Sequence, residues 1–215
     1  MPKQTFFNLN EDKRKMIEDA ATKEFAEYGF HGARLNNIVK NARIAKGSFY
    51  QYFENLDDLF VHLIKTDSEL KLYAIHEVLD QNTDADLFAK FAKIQKAGML
   101  YYTTVSKDML KMIENVPSSQ LMQKPELRKW TCNVKEKIYY PLIDQAIALG
   151  EIDSDRDFAY TVISNTGEMI RQYILSKKQS EQIIDLFDDK KIVDEAVNRF
   201  VSFIKQGLKA TKKEE

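Results

Sequence analysis

The 215-residue chain predicts an all-α fold. It has only seven glycines and four prolines, residues that interrupt helices and that tight turns require. Apolar residues recur at three- and four-residue intervals along most of its length, and no alternating pattern is long enough to compete as a strand. With 44% hydrophobic and 30% charged residues, the composition is that of an ordinary folded protein. The length allows a buried core in one domain or two.

Between residues 12 and 28, Met16, Ile17, Ala20, Ala21, Phe25 and Tyr28 form one face of an amphipathic helix, and Gly29 is placed to end it. Two short helical segments follow, 35–42 and 46–53. Helices of that length are marginal alone and must be held by packing on the first helix. Asn55 reads as an N-cap, with Asp57 and Asp58 in the first turn where the helix dipole favours acids. The helix it opens is expected to run to Leu79. Further helices are expected over 84–104, over 107–115 with a stop near Pro117, and over 125–150. Ser154 or Asp155 caps a helix over 156–176, and a last one covers about 190–209. This gives an N-terminal domain over 1–54 and a larger helical domain over 55–215.

Several kinds of chemistry find no support. Cys132 is the only cysteine, which excludes an internal disulfide or a Cys-based zinc site and suits a reducing cytosol. His31, His62 and His76 have no metal-ligand spacing. There is no P-loop, no G-x-G-x-x-G after a strand and no G-x-S-x-G. The neighbouring Asp188 and Asp189 read as a helix cap or solvated charges. No enzyme activity, cofactor or metal is expected. The opening residues lack a secretory signal, and no window approaches the roughly 18 apolar residues of a membrane span. The expectation is a soluble cytoplasmic protein without a membrane partner.

The charge distribution says more than the total. Net charge is −1, yet residues 31–53 hold Arg34, Lys40, Arg43 and Lys46 and no acid at all. An acid-free basic stretch is what phosphate contact needs, because each cation that neutralises a phosphate releases counterions. Two short helices with a basic second member form the helix-turn-helix that lays side chains into a DNA major groove. Gly47 removes a side chain, so backbone N–H groups can approach a phosphate. Ser48, Tyr50, Gln51 and Tyr52 offer polar groups to base edges and phosphates, while Phe49 and Phe53 are spaced to face the core.

This stretch resembles the TetR family signature. Ile38 and Ile44 are followed by Lys46, Gly47, Ser48, Phe49, Tyr50, Gln51, Tyr52 and Phe53, and then by Asn55, Asp57, Asp58 and Leu59. The resemblance covers residues 10–65. It implies that Lys46, Gly47, Ser48, Tyr50, Gln51 and Tyr52 face a double-stranded DNA operator, with Arg34, Asn36 and Asn37 beside them. Four positions depart from the usual pattern. Ala33 stands where a threonine often starts the second helix, Arg43 replaces a common turn glycine, Ala45 a frequent cap, and Leu56 a frequent phosphate-binding lysine. Arg34 and Arg43 could restore phosphate contacts by another geometry.

The resemblance also implies a C-terminal domain that binds a small ligand and dimerises. Met99, Tyr101, Tyr102, Met109, Met112, Met122, Trp130, Tyr139, Tyr140 and Met169 cluster in the middle helices. Taken alone they fit plain core as well as an adaptable pocket. The candidate ligand residues are Met99, Tyr102, Met109, Met112, Trp130, Tyr139 and Met169, for an apolar or aromatic effector. The last helix carries apolar residues on more than one side, which calls for a partner. Phe158, Val162, Thr166, Tyr173, Val193, Val197, Phe200 and Ile204 are the candidate interface of a homodimer. A two-fold pair would set its recognition helices roughly 34–36 Å apart. The resulting expectation is a repressor released from a palindromic operator when an effector moves the 55–79 helix. An effector-independent regulator, or a helical binding protein that has lost DNA binding, are the alternatives.

Overall fold

A computed structural model describes residues 1–81, 85–101, 103–115, 123–177 and 189–208. Tyr102, Met122, the stop near Pro117, Asp188 and the end of the last helix beyond 208 lie outside the described residues. Every regular element among the described residues is helical, and the chain forms two compact units.

The first unit comprises Met1–Leu70 and Val105–Trp130. It holds α1 (Gln4–Phe7), α2 (Glu11–Gly32), α3 (Leu35–Asn41), α4 (Lys46–Tyr52), the first part of α5 (Leu56–Asp80), α7 (Lys107–Glu114) and the start of α8 (Pro125–Val134). Asn10 caps α2, its Oδ1 accepting from the Lys13 amide at 2.9 Å, with Glu11 and Asp12 in the first turn. Regular helix breaks at Gly29 (φ 67°, ψ 174°), a region almost confined to glycine. The break lets Phe30 return to Phe25 and Phe60, at ring separations of 6.2 and 4.9 Å. Ile17, Phe25, Ile38, Phe49, Phe53 and Leu59 are fully buried, so α3 and α4 are held by one apolar cluster built on α2 and α5. Burial of that extent supplies the stability that seven-residue helices lack.

The second unit comprises Lys71–Thr104 and Thr131–Glu215. It contains α6 (Leu87–Tyr101), a π-helical turn (Lys135–Tyr139), α9 (Tyr140–Ala148), α10 (Arg156–Ser176) and α11 (Lys190–Leu208), with the remainders of α5 and α8. Phe88, Phe91, Ile143, Ile163, Ile170 and Val197 lie in its core. Asp155, rather than Ser154, caps α10 by accepting from the Phe158 amide at 2.8 Å. Asp189 caps α11 through the Lys191 and Ile192 amides, at 3.0 and 3.2 Å.

Three features differ from expectation or add to it. The four-residue α1 carries no helical periodicity and was not foreseen, yet its Phe6 is fully buried. The helix expected over 125–150 is interrupted by the π turn. Pro141 has no N–H and its ring crowds the Lys137 carbonyl; the widened turn before it instead pairs the Tyr140 amide with the Lys135 carbonyl. Compactness also groups α7 with the first unit, since it packs on α2 and the Asn115 amide donates to the Ala26 carbonyl at 3.1 Å. That grouping cuts across the functional division expected at 54/55.

The expected dimer stripe needs correction. Thr166, Val193, Val197 and Ile204 are only 1%, 2%, 0% and 5% exposed, which leaves almost no surface for a partner. The two apolar sides of α11 have partners within the unit, because the helix packs on both α6 and α10. Val162, Tyr173 and Phe200 are half-buried against the same core. Phe158, Met169 and Phe203 are what remains outside, at 55%, 50% and 71% exposure. No helix among the described residues is long and apolar enough to cross a membrane.

Candidate nucleic-acid interface

The site is built on α3, the turn and α4. Arg34, Asn36, Arg43, Lys46, Gly47, Tyr50 and Gln51 are exposed there, as is Lys40. A side chain built at Gly47 would meet nothing within 4 Å, so the protein's own packing does not require glycine at this position. Ser48 is half-buried. Two predicted contacts are turned inward. Tyr52 packs on the apolar cluster with its ring 6.3 Å from Phe6. The Asn37 amide donates to Glu24 Oε1 at 2.9 Å.

The turn has the hydrogen bonds of a Schellman motif. The Ile44 amide donates to the Val39 carbonyl at 3.0 Å and the Arg43 amide to the Lys40 carbonyl at 3.2 Å. That motif puts Arg43 in the left-handed region, at φ 52°, alone among the described non-glycine residues. A Cβ there is strained by about 1–2 kcal/mol. Arg43→Gly is therefore expected to stabilise the chain by roughly 0.5–1 kcal/mol, part of the relief being offset by the freer unfolded chain. It is also expected to lower the salt slope of DNA binding by about one unit per operator half-site. Urea unfolding and binding titrations across salt check both; a lower midpoint for the variant would refute the strain.

Three supports escape motif matching. Glu24 is buried on the apolar face of α2, and its Oε1 also accepts from the Arg34 amide at 2.9 Å. It thereby replaces the side-chain cap that α3 lacks at Arg34. The legible signal is an acid in phase with Ile17, Ala21 and Phe25. At the other end, the last carbonyls of α4 are taken by the N-terminal segment. The Lys3 amide donates to the Tyr52 carbonyl at 2.8 Å, Lys3 Nζ to that of Tyr50 at 2.9 Å, and the Thr5 hydroxyl to that of Gln51. Lys13 Nζ donates to the Arg43 carbonyl at 3.3 Å and ties the turn to α2. Leu56, standing where a basic residue was the usual pattern, packs partly buried on the cluster, as does Ala33.

The start of α5 closes the motif. Asn55 Oδ1 accepts from the Asp58 amide at 2.9 Å while Asp58 Oδ2 accepts from the Glu54 amide at 3.1 Å, a reciprocal cap. Asp57 is paired with Lys124 at 2.5 Å.

The predicted ligand residues do not converge. A cavity of about 170 Å³ in the second unit is lined by Met99 and Tyr139, together with Ile75, Ile94, Gln95 and Arg171. Enclosure of the Tyr139 hydroxyl pushes its pKa up to about 12, so it stays a neutral hydrogen-bonding group. Arg171 holds the neighbouring Glu168 below the usual carboxylate range. Met112 is buried in the first unit's core with Met109 packed beside it, Trp130 also belongs to that unit, and Met169 is half exposed. No group of three potential metal ligands occurs among the described residues.

Residues 17–63, from α2 to the start of α5, match the family model of the bacterial regulatory proteins of the tetR family. The HTH-type transcriptional regulator YhgD of Bacillus subtilis (strain 168) is 34% identical over 55 residues. That match covers 26% of this chain and spans only 29% of the relative. A TetR family regulator from Chloroflexus aurantiacus J-10-FL has the same fold, with a TM-score of 0.65 at 23% identity over 98% of this chain and 100% of that one. So does the regulator FadR of Bacillus subtilis, solved in complex with stearoyl-CoA, with a TM-score of 0.59 at 22% identity over 85% of this chain and 97% of that one. Residues 17–63 thus resemble the helix-turn-helix segment of the tetR family of bacterial regulatory proteins, and the chain shares its helical fold with solved TetR family regulators.

Proposed function

We propose that the chain is a DNA-binding transcriptional regulator that docks α4 in the major groove of a palindromic operator as a homodimer. One observation carries the reading. Arg34, Arg43, Lys46, Gly47, Tyr50 and Gln51 are exposed on one acid-free helix-turn-helix, and Gly47 has no packing reason to be glycine. Lys46 supplies a phosphate contact, and Tyr50 and Gln51 are placed for base edges or phosphates. Exposed Phe158, Met169 and Phe203 on α10 and α11, with half-buried Val162, Tyr173 and Phe200, support the dimer.

Gel shifts with the DNA upstream of the protein's own gene test this. Lys46→Ala is expected to weaken binding about tenfold (roughly 1.4 kcal/mol) and to flatten its salt dependence. Tyr50→Ala is expected to weaken it by a similar factor with the salt slope unchanged. Equal weak binding by wild type and both variants, at low and moderate salt, sinks the reading.

The finer proposal is a repressor released by a small effector bound in the second unit. FadR of Bacillus subtilis holds stearoyl-CoA, and Lys71 and Ile75 of the cavity stand on α5, the helix whose first turns pack beneath α4. Release requires that the effector favour one of two states, since equal affinity for both shifts nothing. At about 170 Å³ the cavity is below the roughly 300–1,000 Å³ of common ligand sites. A larger effector must displace side chains such as Gln95. The same small volume favours a second reading, regulation without an effector, and thermal-shift screening with apolar and aromatic compounds separates the two.

A further inference from the structure

Two lysines from outside the acid-free stretch reach onto its surface. Lys3 immediately precedes α1, and Lys13 stands in the first turn of α2, where the neighbouring Glu11 and Asp12 hide it from any reading of local charge. Lys3 Nζ donates to the Tyr50 carbonyl near the end of α4, at 2.9 Å. Lys13 Nζ donates to the Arg43 carbonyl in the turn before α4, at 3.3 Å. Each ammonium therefore touches the backbone of a residue whose own side chain is exposed on the helix-turn-helix. Among the described residues neither is ion-paired, whereas Lys15 on the same α2 is paired with Asp19 at 2.9 Å.

A carbonyl contact leaves most of a lysine's capacity unused. An ammonium has three N–H donors and a full charge; the carbonyl takes one donor and neutralises none of the charge. The remaining donors are best satisfied by an anionic oxygen, which makes the shorter and stronger bond. The contact also holds a long side chain in place, so less freedom is lost when a further group binds. For Lys3 the end of α4 adds a favourable field, since the negative end of the helix dipole attracts a cation. A tether alone would need no charge, because a glutamine amide could serve the same carbonyl.

We propose that Lys3 and Lys13 are further DNA-phosphate contacts, one beyond each end of α4, which extend the docking surface past the 31–53 stretch. This rests on the DNA-binding reading and adds to it two residues that the local sequence does not mark. Both stay anchored to the helix-turn-helix while they bind, so they fix the register of α4 on the duplex. Phosphate contacts carry no sequence information, and the two lysines strengthen binding to any duplex alike.

The test measures affinity across salt for the DNA upstream of the protein's own gene and for an unrelated duplex. Lys3→Gln and Lys13→Gln each keep an N–H for the carbonyl but lose the charge. Each is expected to lower the salt slope by about one unit per half-site, and to weaken binding to both duplexes by the same factor, at least about fivefold at low salt. Lys3→Arg and Lys13→Arg are expected to keep the wild-type slope. Lys15→Gln, which removes a paired charge from the same helix, is expected to leave the slope unchanged and so controls for net charge. Thermal melts of the five variants are expected to match wild type. The proposal alone is overturned if wild type binds and the glutamine variants keep its slope, or if the arginine variants lose it. A lowered slope that comes only with a lowered melting temperature marks a structural tether and overturns it too. Wild type that binds neither duplex at low salt overturns the regulator reading and the proposal together.

Discussion

Phe6→Ala is expected to destabilise the first unit by about 3–5 kcal/mol, the usual cost of truncating a fully buried aromatic ring. Phe6 is 0% exposed, with its ring 4.8 Å from that of Phe53 and 5.2 Å from that of His62. His62 is held in turn by a 2.8 Å hydrogen bond to Glu18 on α2. The ring therefore joins α4, α5 and the N-terminal segment at one point, and its loss leaves a cavity that three anchored neighbours cannot close. Lys3 and Thr5, which take the last carbonyls of α4, would lose their foothold as well. Urea unfolding of Phe6→Ala beside Phe7→Ala gives the measurement. Phe7 is 44% exposed and its removal is expected to cost well under about 1 kcal/mol. A Phe6→Ala protein as stable as the Phe7→Ala control would show that α1 is not part of the cooperative unit.

Glu24→Ala is expected to cost about 1–3 kcal/mol, because it strips an acceptor from the Arg34 amide and the Asn37 side chain at once. The loss falls on α3 in particular, which has no other cap. Hydrogen exchange should quicken at the first amides of α3 before it does in α2. Glu24→Gln keeps an acceptor oxygen and is expected to recover most of the stability. Should alanine and glutamine behave alike, the buried acid is merely tolerated and α3 is held by apolar packing alone.

Much of this was legible in the residues. The three-and-four spacing of Ile17, Ala21 and Phe25 is enough to write α2, and Asn55 followed by Asp57 and Asp58 is enough to start α5. The acid-free window placed the candidate surface because charge exclusion is a property of composition and needs no coordinates. What stayed hidden depends on partners distant along the chain. Asn37 and Tyr52 read as DNA contacts because nothing local announces that Glu24 and Phe6 claim them. The buried part of the dimer stripe failed for a related reason. A helix apolar on two sides is equally suited to a second copy and to a place between α6 and α10, and only packing decides. The scattered methionines and aromatics could not be sorted into pocket or core, since Met112 and Met99 belong to different units.

The π turn at Lys135–Tyr139 has an implication for kinship. Such a turn is the trace of a single inserted residue, accommodated without breaking the rod, and it rotates everything after it by roughly 100°. Relatives whose corresponding rod is regular should therefore align with one unmatched position between 135 and 139. Beyond that position, their side chains correspond to those of this protein only when the numbering is offset by one.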